Sequence, residues 1–162
     1  MAISSPARGL IIAAPGSGSG KTTVTLALLS AMRRRGLVVQ PYKCGPDYID
    51  PAFHSAASGR PSFNLDSWAM LQTQVASLLR AGDDADISIA EGVMGLFDGV
   101  AAPGAWGNGA TADIAALTGW PVVLVIDPAF VSVPVPFIQT AFTPEMEPPA
   151  WLLRWVCGEF PE

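Results

Sequence analysis

The most constraining stretch of this sequence is residues 9–23, which read GLIIAAPGSGSGKTT. An apolar run typical of a buried parallel β-strand passes into a glycine-serine loop, then into a lysine, two threonines and a helical pattern. Where a strand, a glycine-rich loop and a helix follow one another in this order, the backbone N–H groups of the loop and of the helix N-terminus point at one anion. Lys21 is expected to reach the β- and γ-phosphates of a nucleotide, and Thr22 to hold Mg²⁺.

The loop residues form one predicted phosphate-binding segment. The strict form of the motif has glycine where this chain has Pro15, but proline costs only its own N–H donor. Three glycines keep the loop open, and two serines and a second threonine add hydroxyl donors. The predicted nucleotide-binding residues are Gly16, Ser17, Gly18, Ser19, Gly20, Lys21, Thr22 and Thr23.

The rest of the chain predicts alternating strands and helices. Strands are predicted over residues 10–14, 37–40, 86–91 and 121–127, and helices over residues 21–35, 52–58, 66–80 and 112–118. Proline and glycine predict loops over residues 41–51 and 60–65, and residues 100–110 are expected to be a mobile glycine-rich loop. This alternation predicts an α/β fold with a parallel sheet.

Composition narrows the class of protein. The chain has 162 residues, half of them hydrophobic, which suits one domain with a sizeable core. Its net charge of −5 argues against a nucleic-acid partner, and its apolar runs are too short to span a membrane. Cys44 and Cys157 lie far apart and form neither a metal-ligand pair nor a disulfide framework. We therefore expect a soluble, cytoplasmic protein.

Acidic residues follow two of the predicted strands. Glu91 ends the third strand, and Asp47 and Asp50 lie in the loop after the second, where ligands bind in open α/β sheets. Because Mg²⁺ needs only a few protein oxygens, Thr22, Asp47 and Glu91 are the predicted metal ligands. Asp50 is equally explained as the N-cap residue before Pro51, whereas no capping role is predicted for Asp47.

Two further polar residues lie in or near this loop. Lys43 is predicted to neutralise a phosphate or a substrate carboxylate, with a solvated loop lysine as the alternative. His54, the single histidine, is interpreted as an ordinary half-buried helical residue. With one histidine and no nucleophile elbow, the sequence does not favour a nucleophilic hydrolase.

Four segments together resemble the cobyrinate (or hydrogenobyrinate) a,c-diamide synthase family. They are residues 14–23 (APGSGSGKTT), 43–54 (KCGPDYIDPAFH), 64–66 (NLD) and 90–99 (AEGVMGLFDG). The resemblance covers about residues 9–127, and its three long motifs are specific when they occur in this order. It implies a P-loop NTPase fold with a dethiobiotin-synthetase-like parallel sheet flanked by helices, incomplete in this chain, that binds ATP and Mg²⁺.

The resemblance also implies a reaction. In this family of cobalamin-biosynthesis ligases, ATP phosphorylates the c and then the a carboxylate of a corrin ring, and ammonia released from glutamine displaces the phosphate. The implied partners are a corrinoid substrate and ammonia or glutamine-derived nitrogen, and a homodimer is a further option. The residues that the resemblance assigns to catalysis are Asp47, Asp50, Glu91 and Asp98, and those assigned to the substrate are Lys43 and Tyr48.

Family members also carry a C-terminal class I glutaminase domain with a Cys–His centre, which has no counterpart in this sequence. We divide the chain into residues 1–127, the N-terminal part of the synthetase domain, and residues 128–162, an atypical proline-rich tail. Several interpretations of the tail stay open: a disordered or partner-bound segment, a departure from the ancestral reading frame, or the end of a fragment.

Two other functions stay open alongside the amidoligase. A P-loop switch ATPase of the partitioning type works by nucleotide-gated dimerisation, and it typically has a second lysine at the position that Gly16 occupies here. The lack of that lysine weighs against this function. The other alternative is an inactive remnant that binds nucleotide weakly or does not fold stably.

Overall fold

Alternating strands and helices form a parallel sheet in the computed structural model, which describes residues 8–126. The strands are β1 (Gly9–Ala13), β2 (Val39–Cys44), β3 (Phe63–Leu65), β4 (Ile87–Glu91) and β5 (Val122–Leu124). The helices are α1 (Lys21–Arg34), α2 (Asp50–Ser58), α3 (Gln72–Leu79), which continues into a 3₁₀ turn (Arg80–Gly82), and α4 (Thr111–Thr118). The predictions made for residues 128–162 lie outside the described residues. None of the helices within residues 8–126 combines the length and the apolar character that crossing a bilayer requires.

The strands lie in the order β3-β2-β4-β1-β5, and every neighbouring pair is parallel. The carboxyl ends of all five strands therefore meet at one edge of the sheet. The register pairs Glu91 of β4 with Lys43 of β2 on one side and with Ile12 of β1 on the other. The predicted α/β fold with a parallel sheet is confirmed, and the sheet brings the loop after β1 next to the end of β4.

Helices pack on both faces of the sheet, because successive strand residues point to opposite sides. One buried cluster joins the sheet to α1 and consists of Ile12, Leu29, Val39 and Ile89. The other cluster joins the opposite face to α3 and α4, and its members include Ile11, Tyr42, Ala90, Val75 and Ile114. Burying each large aliphatic side chain contributes about 1.5–3 kcal/mol, so the two layers hold the sheet rigid beneath its carboxyl edge.

The second strand is longer than predicted, and a short third strand was missed. β2 runs through Pro41, a residue that usually ends a strand because it lacks an N–H donor. β3 pairs only with Tyr42, Lys43 and Cys44, so at Pro41 the strand has a neighbour on the β4 side alone. A residue without an N–H is tolerated where one side of the strand is unpaired.

The third helix begins later than predicted. Asp66 does cap, but its Oδ1 accepts hydrogen bonds from the N–H groups of Trp68 (2.8 Å) and Ala69 (3.2 Å) in a single turn that does not continue. The helix starts at Gln72 after a break at Leu71. Trp68, which lies within the range of the predicted helix, is outside the observed one and is 41% exposed.

The loop of residues 100–110, expected to be mobile, is tied to its neighbours by hydrogen bonds. The N–H of Ala105 donates to the carbonyl of Trp68 (2.8 Å). The hydroxyl of Ser67 donates to Asp113 of α4 (2.5 Å) and accepts from the N–H of Gly109 (2.9 Å). These bonds fasten the loop to the segment before α3 and to the start of α4.

A close approach at the start of β1 yields a stability prediction. A Cβ on Gly9 would overlap the indole ring of Trp120, a rigid side chain that is itself buried. We expect Gly9→Ala to lower the free energy of unfolding by about 1–3 kcal/mol, measured by urea denaturation. Gly16→Ala is the matched control, because a Cβ at Gly16 meets no atom within 4 Å. Equal stability of the two variants would contradict the packing described here.

Candidate functional site

The glycine-serine loop is a tight curve with its lysine folded across it. Gly18 and Gly20 adopt φ values of +81° and +86°, a left-handed conformation that favours glycine. The carbonyl of Gly16 accepts hydrogen bonds from Ser19 Oγ (3.1 Å) and from Lys21 Nζ (2.9 Å). The loop therefore forms a cradle with an ammonium group held inside it.

The helix α1 begins directly at this cradle. Its N-cap residue is Gly20, which makes no side-chain cap, and no acidic residue lies in the first turn. The first N–H groups of the helix are thus available to an anion, and the helix dipole favours negative charge there. Burial and the nearby charge of Lys43 lower the pKa of the Lys21 ammonium.

Glu91 is the centre of the polar network beside the loop. It ends β4, and only 1% of the residue is exposed. Its Oε1 accepts hydrogen bonds from Thr22 Oγ1 (2.5 Å) and from Lys43 Nζ (3.0 Å). Its Oε2 lies 2.5 Å from His54 Nε2. Both carboxylate oxygens are therefore occupied, and four separate elements supply the groups.

Lys43 lies between three carboxylates. It belongs to β2, and its side chain is only 5% exposed, so the alternative of a solvated loop lysine is wrong. Besides Glu91, its Nζ contacts Asp50 Oδ2 at 2.6 Å and Asp47 Oδ2 at 3.7 Å. One cation thus links the acids that follow β2 to the acid that ends β4.

The charges of this network stabilise one another. Burial alone would raise the pKa of Glu91, but hydrogen bonds from His54 and Thr22 and the charge of Lys43 lower it below its usual value. Burial alone would lower the pKa of Lys43, but the hydrogen bond to Asp50 and the charge of Glu91 raise it. The carboxylate and the ammonium are consequently both ionised at neutral pH.

Asp47, and not Asp50, accepts the hydrogen bonds that cap the start of α2. Asp47 Oδ1 accepts hydrogen bonds from the N–H groups of Ile49 (2.8 Å) and Asp50 (3.0 Å), so the prediction that Asp47 has no capping role is wrong. Burial would raise the pKa of Asp47, but these two bonds and Lys43 lower it. Asp50, for which a capping role and a functional role both stayed open, is the first residue of α2 and pairs with Lys43.

An open cavity of about 450 Å³ joins the loop to this network. It brings together most of the predicted nucleotide-binding residues and three of the predicted acids. Its lining consists of Ser17, Gly18, Gly20, Lys21, Thr22, Thr23, Lys43, Asp47, Asp50, Glu91, Gly92, Val93 and Met94. Within residues 8–126 the cavity therefore combines phosphate-binding geometry with a buried ionic cluster.

Four predicted site residues do not line this cavity: two are Gly16 and Ser19 of the loop, and the other two are Tyr48 and Asp98. Tyr48 is 94% exposed at the loop before α2. Asp98 is also exposed, and its Oδ2 accepts a hydrogen bond from the N–H of Gly95 (2.8 Å). Their assigned roles in handling the substrate stay predictions.

Sequence reasoning missed His54, which is fully buried against Glu91 and not half-buried. The signal available for it was its spacing from Asp50, since residues four apart lie on the same helical face.

The oxygen donors of the site suit a magnesium ion that arrives with a nucleotide. Among residues 8–126, no three His, Cys, Asp or Glu side chains are grouped as a ready metal site. Thr22 Oγ1 and Glu91 Oε1 nevertheless lie 2.5 Å apart at the edge of the cradle. Because Mg²⁺ keeps several waters and shares phosphate oxygens, one hydroxyl and one carboxylate fit it.

The buried position of Lys43 yields a second stability prediction. Lys43→Met leaves the acids around it without their cation, and breaking a buried pair costs about 3–5 kcal/mol. We expect a loss of that size in the free energy of unfolding, measured by urea denaturation. Arg34→Met, at the exposed end of α1, is the control and should stay within about 0.5 kcal/mol of the parent chain. A loss no larger than that of the control would contradict a buried pair.

Similarity to curated proteins covers most of the described domain. The chain is 63% identical over 120 residues to the hydrogenobyrinate a,c-diamide synthase of Rhodobacter capsulatus. The aligned segment covers 74% of this chain and 28% of that protein. The chain is 58% identical over 125 residues to the protein of the same name from Rhizobium meliloti, covering 76% of this chain and 28% of the relative. The protein so named from Brucella ovis is 55% identical over 122 residues. The chain thus spans little more than a quarter of the length of the curated relatives it matches.

A family model matches more than half of the chain. The model describes the CobQ/CobB/MinD/ParA nucleotide binding domain and matches residues 10–102. That range contains the glycine-serine loop, Lys43, the α2 segment and Glu91. Together with the parallel sheet and the cradle at its carboxyl edge, this match shows that the chain belongs to the CobQ/CobB/MinD/ParA nucleotide-binding domain family.

Proposed function

We propose that this chain is the ATP-binding synthetase part of a hydrogenobyrinate a,c-diamide synthase, acting on the c and a carboxylates of hydrogenobyrinate or cobyrinate. The observation that carries the proposal is the contact of Glu91 with both Thr22 of the phosphate loop and Lys43. Within one cavity, this contact connects the phosphate loop to the buried ionic cluster around Lys43. The names of the relatives and their identity of 55–63% support it.

The proposed chemistry is activation of a carboxylate by ATP. A carboxylate oxygen attacks the γ-phosphorus, the bond to the β-phosphate oxygen breaks, and ADP leaves with its electron pair. Ammonia then attacks the acyl carbon, and phosphate departs as the amide forms and the nitrogen loses a proton. Most of the catalytic effect in phosphoryl transfer comes from positioning and from neutralising charge, which is what a loop of N–H donors and two lysines supplies.

Five residues of the cavity have proposed roles in this reaction. Lys21 binds the β- and γ-phosphates, and Thr22 and Glu91 hold Mg²⁺, with Asp47 as a further candidate ligand. When bound, Mg²⁺ supplies positive charge to the phosphate oxygens. Lys43 neutralises the substrate carboxylate or the transferred phosphoryl group.

Three further residues, Asp50, Tyr48 and Asp98, have proposed roles as well. Asp50 orients the ammonium of Lys43, because the two groups are 2.6 Å apart. Tyr48, which is exposed in the loop before α2, contacts the corrinoid in this proposal. Asp98 takes part in the transfer between the two carboxylates.

The proposal also includes the source of the nitrogen and the cellular location of the protein. In this proposal a glutaminase, on another part of the protein or on a separate chain, supplies the ammonia. The relatives are more than three times as long as the matched segment, which leaves room for such a part. Free ammonium ions replace that source in a test. A cytoplasmic location accords with the supply of ATP and of a biosynthetic intermediate.

Nucleotide binding is the first test. We expect Lys21→Ala to weaken binding of a non-hydrolysable ATP analogue by about 10- to 100-fold, because a charged hydrogen bond contributes about 1.5–3 kcal/mol. Calorimetry with Mg²⁺ present measures the change. Arg34→Ala at the other end of α1 is the control and should bind as the parent chain does. A folded parent chain that binds no nucleotide would contradict the proposal.

Isotope transfer tests the acyl-phosphate step. The chain is incubated with ATP, Mg²⁺, ammonium ions and hydrogenobyrinate whose carboxylates carry ¹⁸O. We expect one ¹⁸O atom to appear in inorganic phosphate for each amide formed, because the attacking carboxylate oxygen leaves with the phosphate. Mass spectrometry of the phosphate and of the corrinoid measures both products.

Two outcomes of that experiment count against the proposal. Amide product with unlabelled phosphate would exclude the acyl phosphate. Nucleotide-dependent dimerisation without any amide would support a switch ATPase of the partitioning type instead.

A further inference from the structure

His54 is the one buried polar residue of the network to which the proposed reaction gives no part. It lies on α2, is fully buried, and is the only histidine of the chain. Its Nε2 is 2.5 Å from Glu91 Oε2, and its Nδ1 is 3.4 Å from Ser62 Oγ. A buried imidazole held at both nitrogens has a defined orientation, so its effect on Glu91 can be derived.

The hydrogen-bond partners determine which nitrogen carries the proton. An ionised carboxylate only accepts hydrogen bonds, so Nε2 of His54 must donate to Glu91. Nδ1 then faces a hydroxyl, and the long distance to Ser62 makes that contact weak. The imidazole is therefore a directed N–H donor toward one oxygen of Glu91.

The contacts of His54 and Asp50 form a closed ring. The two residues lie four apart on α2 and therefore on the same helical face. Asp50 accepts a hydrogen bond from Lys43 (2.6 Å), Lys43 donates to Glu91 Oε1 (3.0 Å), and His54 donates to Glu91 Oε2. One turn of helix thus holds the carboxylate of Glu91 from both sides, once directly and once through Lys43.

This ring decides which way Glu91 points. With Oε2 held by His54, rotation of the carboxylate is blocked, and Oε1 stays directed at Thr22 Oγ1, 2.5 Å away. Without the donor, Oε2 becomes a buried, unpaired carboxylate oxygen, and the carboxylate turns to recover a partner. Oε1 would then leave the edge of the phosphate cradle.

We infer that His54 is a positioning residue that orients Glu91 toward the magnesium ion of a bound Mg·nucleotide. The inference rests on the proposed function for the ion and on the observed ring for the geometry. Partners of metal-ligating side chains typically change metal affinity about 10- to 100-fold when they are lost. The gain in nucleotide affinity on adding Mg²⁺ is therefore the quantity that His54 controls.

The test compares nucleotide binding with and without the metal. Calorimetry measures the affinity for a non-hydrolysable ATP analogue in Mg²⁺ and in a chelator. We expect His54→Leu to reduce the Mg²⁺-dependent gain by about tenfold or more and to change metal-free affinity by less than about twofold. His54→Gln, whose amide nitrogen can replace Nε2, should retain the gain, and so should Ser62→Ala, which removes only the weak contact.

A double variant separates positioning from general damage to the fold. In the Glu91→Gln background, His54→Leu should reduce the Mg²⁺-dependent gain no further, since both substitutions act through the same carboxylate. If His54→Leu lowers affinity equally in Mg²⁺ and in chelator, or keeps the full gain, the inference is wrong. A parent chain that binds no nucleotide contradicts both the proposed function and the inference. A parent chain that binds nucleotide while His54→Leu gives one of the two results above contradicts the inference alone.

A spectroscopic readout needs no His54 variant and no metal. In a tag-free chain, the single imidazole gives one set of signals in a long-range ¹H–¹⁵N spectrum. We expect Nε2 to be protonated, and we expect its signals to move when Glu91 is replaced by glutamine. A proton on Nδ1 alone, or signals unchanged by Glu91→Gln, would overturn the inference even where His54→Leu fails to fold.

Discussion

One buried carboxylate, Glu91, connects the elements on which the site depends. It receives hydrogen bonds from Thr22 at the start of α1, from Lys43 in β2 and from His54 in α2, while its own backbone ends β4. Removing a carboxylate from water costs several kcal/mol even after relaxation, and these three hydrogen bonds offset that penalty. The position of Glu91 thus determines where three other elements can lie.

The arrangement follows from a parallel sheet. Because β2, β4 and β1 lie side by side and run in one direction, Lys43, Glu91 and the phosphate loop come to the same edge. Helices pack on both faces of the sheet below that edge: α1 covers one face, and α3 and α4 cover the other. Buried ionic clusters are weak evidence for stability in general, since well-packed apolar residues often serve as well. The place of this cluster beside the cradle accords with the proposed binding role.

Local sequence patterns account for much of this structure, and their failures have physical causes. The phosphate loop, α1, β4 and Glu91 follow from short patterns that the tertiary structure did not override. The extent of β2 was misjudged because Pro41 usually ends a strand, and only the late start of β3 makes it acceptable. The capping role of Asp47 was missed, since both Asp47 and Asp50 lie at the start of α2 and only the folded loop decides which carboxylate accepts from its N–H groups.

The phosphate cradle could be predicted from residues 9–23 alone, because its strand, its left-handed glycines and its Lys-Thr pair are contiguous and need no distant partner. The sequence also placed an acid at the end of β4. The contacts of Lys43 and His54 with that acid could not be predicted in this way, since the two residues are 48 and 37 positions away from it. Their contacts depend on β2 lying next to β4 and on α2 following β2, and strand order is a property of the packed sheet that no local pattern encodes.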